Sequence, residues 1–175
     1  AIDSPSALNL VCYCKDCRGY YNTLNALAKK RNLPAAAELD PFGGVGWTQV
    51  YPCEIKVKDG EVLLETCIIR EGSMQHRVYS KCCYTPMFTI GKGMGSAMLN
   101  SALIPVEDQH NDIVYRIIGR QALKGDGSVE KPKMSFSVPF SWFFNMPKRV
   151  KKDRSTPSPI DVEKEVKILE GFKEG

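Results

Sequence analysis

Residues 11–19 have the sequence VCYCKDCRG, which places Cys12, Cys14 and Cys17 within six residues. Thiolates at this C-x-C-x-x-C spacing can converge on one soft cation, and zinc is the usual occupant of such a site. Three protein ligands leave one tetrahedral position of zinc for water or a substrate sulfur. A disulfide scaffold and three unconnected buried thiols are the alternatives, but an i, i+2 pair has poor geometry for a disulfide. The spacing therefore favours a metal site.

The composition indicates one folded domain with extensions and argues against several classes of protein. The 175 residues are 43% hydrophobic and 9% aromatic, which is typical of a chain with a real core. The net charge of +4 is too small to predict a nucleic-acid partner, and no apolar run of about 18 residues predicts a membrane span. Seven cysteines, an odd number, predict free or metal-bound thiols in a reducing intracellular compartment, either the cytoplasm or the interior of an organelle.

Apolar patterns and turn signals predict a chain in which strands predominate. A helix is expected after Gly19, because Tyr21, Leu24, Leu27 and Ala28 share one helical face, and Pro34 stops or restarts it. Strands are expected at residues 7–11, 48–58, 61–70 and 75–80.

The C-terminal third predicts two helices and an aromatic patch. The pattern IVYRIIGRQALKG, residues 113–125, predicts a helix, and a second, weakly amphipathic helix is expected over residues 161–169. A basic run at residues 147–154 predicts a solvated linker. The stretch FSVPFSWFF, residues 136–144, is either part of the core or a docking surface. In the second case the candidate partner-binding residues are Phe140, Trp142, Phe143 and Phe144.

The cysteine blocks resemble those of the glutathione-dependent formaldehyde-activating enzyme and centromere protein V superfamily. Its members have an early C-x-C-G block, a C-H-C-x-x-C-R block and an F-C-x-x-C-G-x-P-L block. The second block is present at residues 12–18, with Tyr13 in place of the histidine. The third is altered in VYSKCCYTP, where Tyr79 replaces the first cysteine and Cys83 follows Cys82. This CC-x-TP form is most similar to an uncharacterised branch of the superfamily, and the first block is expected upstream of Ala1.

The resemblance implies a mainly β, α+β architecture: a β-tent fold of small antiparallel sheets around zinc. This domain would cover residues 1–130, and an aromatic, basic and helical extension would cover residues 131–175. It also implies that Cys12, Cys14 and Cys17 hold a catalytic-type zinc ion. Cys82, with Cys83, is then the remnant of a second, structural zinc site that has at most two thiols here.

Two functions follow from the resemblance. One is a zinc-dependent carbon–sulfur lyase-like enzyme that acts on a glutathione–aldehyde adduct. Arg18 would then pair with a substrate carboxylate, although a hydrogen bond to the cluster sulfurs or to a backbone carbonyl is an equal alternative. The other is a zinc-binding structural or interaction subunit that binds a protein partner through its C-terminal extension. The altered third block and the extension favour the subunit, which is our expectation.

Overall fold

A computed structural model describes residues 8–92, 96–104, 114–139, 160 and 166–175. In these ranges the chain forms one α-helix and eight strands, so the predicted mixed, mainly β architecture is confirmed. The elements are β1 (Leu8–Cys12), α1 (Lys15–Lys30), β2 (Val45–Val50), β3 (Leu64–Ile68), β4 (Gln75–Ser80), β5 (Pro86–Gly91), β6 (Ala97–Asn100), β7 (Val114–Ile117) and β8 (Lys167–Ile168). No helix in these ranges has the length and apolar character needed to cross a membrane.

All eight strands belong to one sheet, in the order β7-β1-β2-β6-β5-β4-β3-β8. Neighbouring strands are antiparallel except at the two edges, where β7 lies parallel to β1 and β8 lies parallel to β3. The expectation of several small sheets is wrong for the described strands. Pairing of β2 with β6, with Trp47 opposite Asn100, joins the two halves into a single sheet.

Helix α1 is amphipathic and packs its apolar face against this sheet. Its buried face carries Tyr20, Tyr21, Leu24 and Ala28, which recur at the spacing of one helical face. The helix begins earlier than the sequence predicts, at Lys15, because Cys14 caps its first turn. It ends at Lys30, before Pro34, since Asn32 takes a left-handed φ of 56°.

The first core cluster lies between α1 and the sheet. Cys12 and Trp47 enter it from one half of the sheet, and Cys67 and Ile69 enter it from the other. The helix therefore packs against residues from both halves of the sheet. A second cluster of Val50, Val78, Phe88, Ile90 and Ala97 packs separately along the central strands.

Two helices predicted for the C-terminal third are corrected. Val114–Ile117 is β7, because its β-branched residues extend alongside β1, and Ile118 then takes a left-handed φ of 59° that ends the strand. In the stretch 161–169, residues 161–165 lie outside the described chain, and Lys167–Ile168 is a strand rather than a helix. A helix is excluded for that pair because it hydrogen-bonds with Cys67 and Ile68 at the open edge of β3.

Of the four predicted strands, two are confirmed and two end or begin at other residues. Those at residues 7–11 and 75–80 are confirmed as β1 and β4. The strand predicted over 61–70 is shorter, because Glu61–Leu63 forms a 3-10 helix before β3. The strand predicted over 48–58 ends at Val50, since Pro52, which has no N–H to donate, begins another 3-10 helix.

Candidate metal centre

The three predicted ligands meet at the junction between β1 and α1. Cys12 is the last residue of β1, Cys14 is the N-cap of α1, and Cys17 lies in the first helical turn. Their Sγ atoms all lie within 4.8 Å of one another. Tetrahedral zinc with Zn–S bonds of about 2.3 Å needs sulfurs about 3.8 Å apart, so the trio has to contract by at most about 1 Å. These three thiols form a group that could hold a metal ion.

The helix places positive potential at the trio. The Sγ of Cys14 accepts a hydrogen bond from the backbone N–H of Cys17 at 3.3 Å. Unpaired N–H groups and the dipole at a helix N-terminus favour negative charge, including that of a thiolate. Hydrogen bonds of this kind also orient metal-bound sulfurs. The cap that starts the helix is therefore also suited to hold a ligand.

The thiols share their protons unequally. Hydrogen bonds from Cys12 and Cys14 lower the pKa of Cys17 well below its ordinary value, and the charge of Arg77 lowers it further. Hydrogen bonds to the other two sulfurs, together with burial, raise the pKa of Cys12. For Cys14 the hydrogen bond with Cys12 acts to lower the pKa, but the bond with Cys17 and burial outweigh it and raise the pKa to about 12. Of the three thiols, Cys17 is therefore the one whose surroundings favour the thiolate form.

Arg77 is a site residue that the sequence reasoning missed. The residue is 1% exposed, its guanidinium lies 5.0 Å from the centre of the Tyr20 ring, and its charge and a hydrogen bond lower the pKa of Cys17. Its one hydrogen bond to an oxygen runs from Nη2 to Oε1 of Gln75 at 3.3 Å, whereas Nε and Nη1 have no oxygen or nitrogen acceptor. No carboxylate of the described residues forms an ion pair with it.

These orphaned donors test whether the site fits a metal ion. A buried guanidinium without an acceptor is costly unless a negative group lies beside it. A divalent ion bound to three thiolates forms a complex with a net charge of −1. That complex would be a negative group of this kind. The donor set of three soft sulfurs and one buried cation therefore fits zinc or a similar soft divalent ion. One signal in the sequence could have pointed to Arg77: in a strand over residues 75–80 it lies on the same face as the aromatic Tyr79.

Arg18 is also buried, but its contacts are of another kind. It is 4% exposed, and its guanidinium donates hydrogen bonds to three backbone carbonyls. The acceptors are those of Tyr13 at 3.3 Å, Gln121 at 3.0 Å and Gly175 at 2.8 Å. Of the two roles predicted for Arg18, these are the contacts of the second, a bond to the backbone. Its role as a partner for a substrate carboxylate stays a prediction.

Tyr13, between the first two cysteines of the trio, anchors a loop. The ring is fully buried, and its hydroxyl donates to Oδ2 of Asp40 at 2.8 Å. Oδ1 of Asp40 in turn accepts from the N–H groups of Phe42 and Gly44 at 2.8 and 2.7 Å. Burial and the hydrogen bond to Asp40 raise the pKa of Tyr13. The tyrosine therefore fixes the turn that leads into β2.

Cys82 and Cys83 lie far from the trio, near the C-terminal end of α1. Arg31, just beyond that end, donates to the carbonyl of Lys81 at 3.3 Å. About 25 Å of helix separates Cys14 from Arg31, so one ion cannot bind both cysteine groups. Within the described ranges, the trio is the one group of three or more candidate ligands, and none forms around Cys82 and Cys83. Their role as a remnant second zinc site stays a prediction.

Aromatic side chains stack at the β4–β5 turn. Tyr79 stacks on Tyr84 with ring centroids 6.1 Å apart, and the guanidinium of Arg31 lies 4.8 Å from the centre of the Tyr84 ring. Burial raises the pKa of Tyr79 to about 12, so the ring stays neutral. This stack and the cation–π contact hold the β4–β5 turn against the C-terminal end of α1.

The predicted partner-binding residues Phe140, Trp142, Phe143 and Phe144 lie outside the described residues. The first aromatic residue of the same stretch, Phe136, is described and is 71% exposed, with the guanidinium of Arg120 5.4 Å from its ring centre. That exposure is consistent with a docking surface at this end of the patch.

Two described cavities lie away from the trio. One has a volume of about 650 Å³ and is lined mainly by apolar side chains around the second core cluster, including Val50, Phe88 and Ile104. The other, of about 190 Å³, lies between β3, β8 and Tyr84. Neither is lined by a member of the trio, so neither provides a substrate pocket at those sulfurs.

No known protein was found to be similar to this chain. Comparisons of the chain with protein-family models, with curated proteins and with solved structures found no match. The superfamily resemblance therefore stays a prediction.

Proposed function

We propose that this chain is a zinc-binding protein in which Cys12, Cys14 and Cys17 hold a structural ion, and that it serves as an interaction subunit of a larger assembly. The observation that carries the proposal is the convergence of three thiols within 4.8 Å. Their burial supports a structural role, since Cys12 and Cys17 are 6% and 7% exposed and belong to the first core cluster. Structural zinc sites contribute directly to folding stability.

Zinc at this position would cross-link the end of β1 to the first turn of α1. The C-terminal tail closes on the same turn, because the carbonyl of Gly175 accepts from Arg18 and its N–H donates to the carbonyl of Lys15 at 3.3 Å. Leu169 is buried in the first core cluster, so the tail is anchored on the sheet side as well. One ion would therefore stabilise the point where strand, helix and tail meet.

The proposed subunit role is supported by the described parts of the extension. Residues 166–175 add β8 to the edge of the sheet, and Ser135 exchanges backbone hydrogen bonds with Arg116 and Gly119 beside β7. The extension thus contacts the sheet while leaving Phe136 exposed. A protein partner is the occupant that fits an exposed aromatic patch.

Metal analysis together with chelation tests the structural role. We expect about one zinc ion per chain, and we expect removal of zinc by a chelator to lower the melting temperature of the protein. The Cys17→Ser variant should match the chelated protein, whereas Cys67→Ser makes the same change at a buried thiol outside the trio and should retain zinc. A melting temperature unaffected by chelation would contradict a structural ion.

The aromatic patch is tested by two substitutions. If Trp142 and Phe143 belong to a partner surface, replacing both with serine should leave the zinc content and the melting temperature of the isolated chain unchanged. If they belong to the core, the same change should lower stability by several kcal/mol, as loss of large buried aromatic side chains does.

The enzyme is the second candidate, and one observation favours it. Among the described residues no fourth His, Cys, Asp or Glu joins the trio, so the fourth position on zinc is left to a group such as a thiol. Glutathione-dependent turnover of formaldehyde, lost in Cys14→Ser and retained in Cys67→Ser, would establish this activity. Zinc binding without turnover would leave the subunit as the function.

A further inference from the structure

Residues 172–175 lie along the first turns of α1, the helix that carries two of the three candidate ligands. The N–H of Gly175 donates to the carbonyl of Lys15 at 3.3 Å, and the carbonyl of Gly175 accepts from Arg18 at 2.8 Å. Gly19 leaves room for this approach, since a Cβ there would meet the backbone of the tail. The tail is therefore fastened by its backbone to the turn in which the candidate ligands lie.

An ion-pair network fastens the tail to the same turn. Arg70, two residues beyond β3, donates two hydrogen bonds to Asp16, at 2.8 and 2.6 Å, and pairs with Glu174 at 3.6 Å. One arginine thus joins the first turn of α1 to the tail. Because the three side chains are partly exposed, the network adds little stability of its own. Its contacts all form only while the helical turn and the tail are both in place.

Gly171 lets the chain turn from β8 onto the helix. Its φ is 71°, in the left-handed region that favours glycine, and nothing but its chain neighbours lies within 4 Å of a Cβ placed there. Across this turn the N–H of Phe172 donates to the carbonyl of Leu169 at 3.3 Å, and Leu169 is buried. The sheet therefore holds the chain as far as Leu169, whereas residues 172–175 depend on their contacts with α1, Arg70 and the first core cluster.

The candidate metal centre depends on the same helical turn. Cys14 is the N-cap of α1 and its Sγ accepts from the N–H of Cys17, so these two sulfurs keep their positions only while the turn is folded. An ion bound to both would hold the turn against unwinding, as the bond from the tail to Lys15 does. Two interactions that stabilise one locally unfolding unit also stabilise each other.

We propose that the metal centre and the tail are coupled through the first turn of α1, so that binding of the ion favours closure of residues 172–175 on the helix and loss of the ion favours their release. The inference rests on the proposed zinc site and makes that site a metal-responsive switch as well as a support for the fold. By linkage, a tail that cannot close should lower the affinity for the ion by the factor with which the ion favours closure.

Amide hydrogen exchange of the full chain measures closure. Exchange in residues 172–175 is followed in zinc-loaded and in chelated wild-type protein, and we expect zinc to slow it about tenfold, a typical size for coupling between two sites. The β4–β5 turn is the internal control. Its Tyr84 N–H donates to the carbonyl of Ser80 near the other end of α1, and exchange there should change much less.

Substitution at the turn of the tail tests the coupling in the reverse direction. Gly171→Ala places an alanine in the left-handed region while its Cβ enters open space, so it opposes closure without touching the trio. We expect it to bind Zn²⁺ up to roughly tenfold more weakly, measured by competition with a chelator. Gly127→Ala is the matched control, because Gly127 has a φ of 84° and equally open space but lies in an exposed loop outside the tail. It should bind Zn²⁺ as wild type does.

The outcomes separate the inference from the proposed function. If wild type binds no Zn²⁺, the proposed zinc site and the coupling both fail. If wild type binds Zn²⁺ but zinc leaves exchange in the tail unchanged, or slows it equally in the β4–β5 turn, the zinc site stands and the coupling is overturned. The same holds if Gly171→Ala binds Zn²⁺ as tightly as Gly127→Ala. Should Gly171→Ala fail to fold, Glu174→Gln removes only the ion pair with Arg70 and should weaken Zn²⁺ binding about twofold.

Discussion

The two ends of helix α1 each lie beside a group of cysteines, and the two groups differ in almost every property that matters for metal binding. At the N-terminal end, Cys12 and Cys17 are buried, and an N–H group and a buried guanidinium act on the sulfurs. At the C-terminal end, Cys82 is exposed and Cys83 is half-buried. The dipole of a helix favours negative charge at the first end and disfavours it at the second.

The comparison teaches that cysteine spacing predicts a ligand set only where backbone geometry makes the sulfurs converge. A strand-to-helix junction brings Cys12, Cys14 and Cys17 together. In the β4–β5 turn each sulfur instead pairs with a hydroxyl, Cys82 with Ser80 at 3.0 Å and Cys83 with Thr85 at 3.1 Å. The first group is suited to share one ion, whereas the thiols of the second hydrogen-bond with hydroxyl groups.

The largest expected effect is a difference in zinc content. Cys17→Ser removes one of the three candidate ligands, so the content should fall from about one zinc per chain to near zero. The double variant Cys82→Ser, Cys83→Ser should retain about one. Elemental analysis of both purified proteins gives the answer. Zinc lost from the double variant, or retained in Cys17→Ser, would reverse the assignment of the two ends.

The second effect concerns the C-terminal tail, which contacts the N-terminal end of α1 and not its C-terminal end. In Gly19→Ala the new Cβ would meet the backbone carbonyl of Lys173, with the N–H of Gly175 at 3.0 Å. The helix gains about 1 kcal/mol from alanine, but overpacking against backbone costs roughly 1–3 kcal/mol, so we expect net destabilisation by denaturant unfolding.

Gly46→Ala is the control for this change, because its Cβ would meet nothing closer than 3.5 Å. Its stability should stay within about 0.5 kcal/mol of wild type. A Gly19→Ala protein as stable as this control would mean that the tail is not held against the helix.

The sequence predicted the elements that local patterns determine. The trio and strands β1 and β4 were predictable, because ligand spacing and alternation are properties of adjacent residues. The pattern of residues 113–125 predicts a helix, but a short apolar run fits the period of a strand as well. Pairing with β1, about a hundred residues earlier in the chain, determined that Val114–Ile117 is a strand.

Of the two buried arginines, the sequence pointed to Arg18 as the site residue and missed Arg77. Arg18 adjoins the trio in sequence, yet its hydrogen bonds are all to backbone carbonyls. Arg77 is sixty residues further along the chain, in β4, and acts on Cys17 because the fold packs that strand beside α1. Contacts of this kind depend on the register of distant strands and cannot be read from spacing within a motif.

The third effect is the reactivity of the thiols at the C-terminal end. Hydrogen bonds from Thr85 and Ser80 lower the pKa of Cys83 to about 7. A thiolate is the reactive form, so alkylation of Cys83 should rise with pH to a midpoint near that value. Thr85→Val removes the larger contribution, so it should raise the midpoint and slow alkylation at neutral pH up to about tenfold.

Mass spectrometry of iodoacetamide-treated protein over a pH series assigns the rate to Cys83. The buried Cys67 is the internal control, because burial raises its pKa to about 12 and its labelling should stay slow throughout. Equal rates for the two thiols, or a Thr85→Val midpoint that does not move, would contradict the role of the hydroxyl.

The smallest expected effect concerns the cation–π contact between Arg31 and Tyr84 at the C-terminal end of α1. Arg31→Ala removes the cation–π contact with Tyr84 and the hydrogen bond to Lys81. Because Arg31 is exposed, the loss should be only about 0.5–1 kcal/mol. A double-mutant cycle with Tyr84→Leu should give a coupling of about 0.5 kcal/mol in denaturant unfolding, with zinc content unchanged in every variant. Zero coupling would leave the turn held by backbone hydrogen bonds alone. A change in zinc content would mean that the two ends of α1 communicate through the helix, which the separate contacts at each end do not predict.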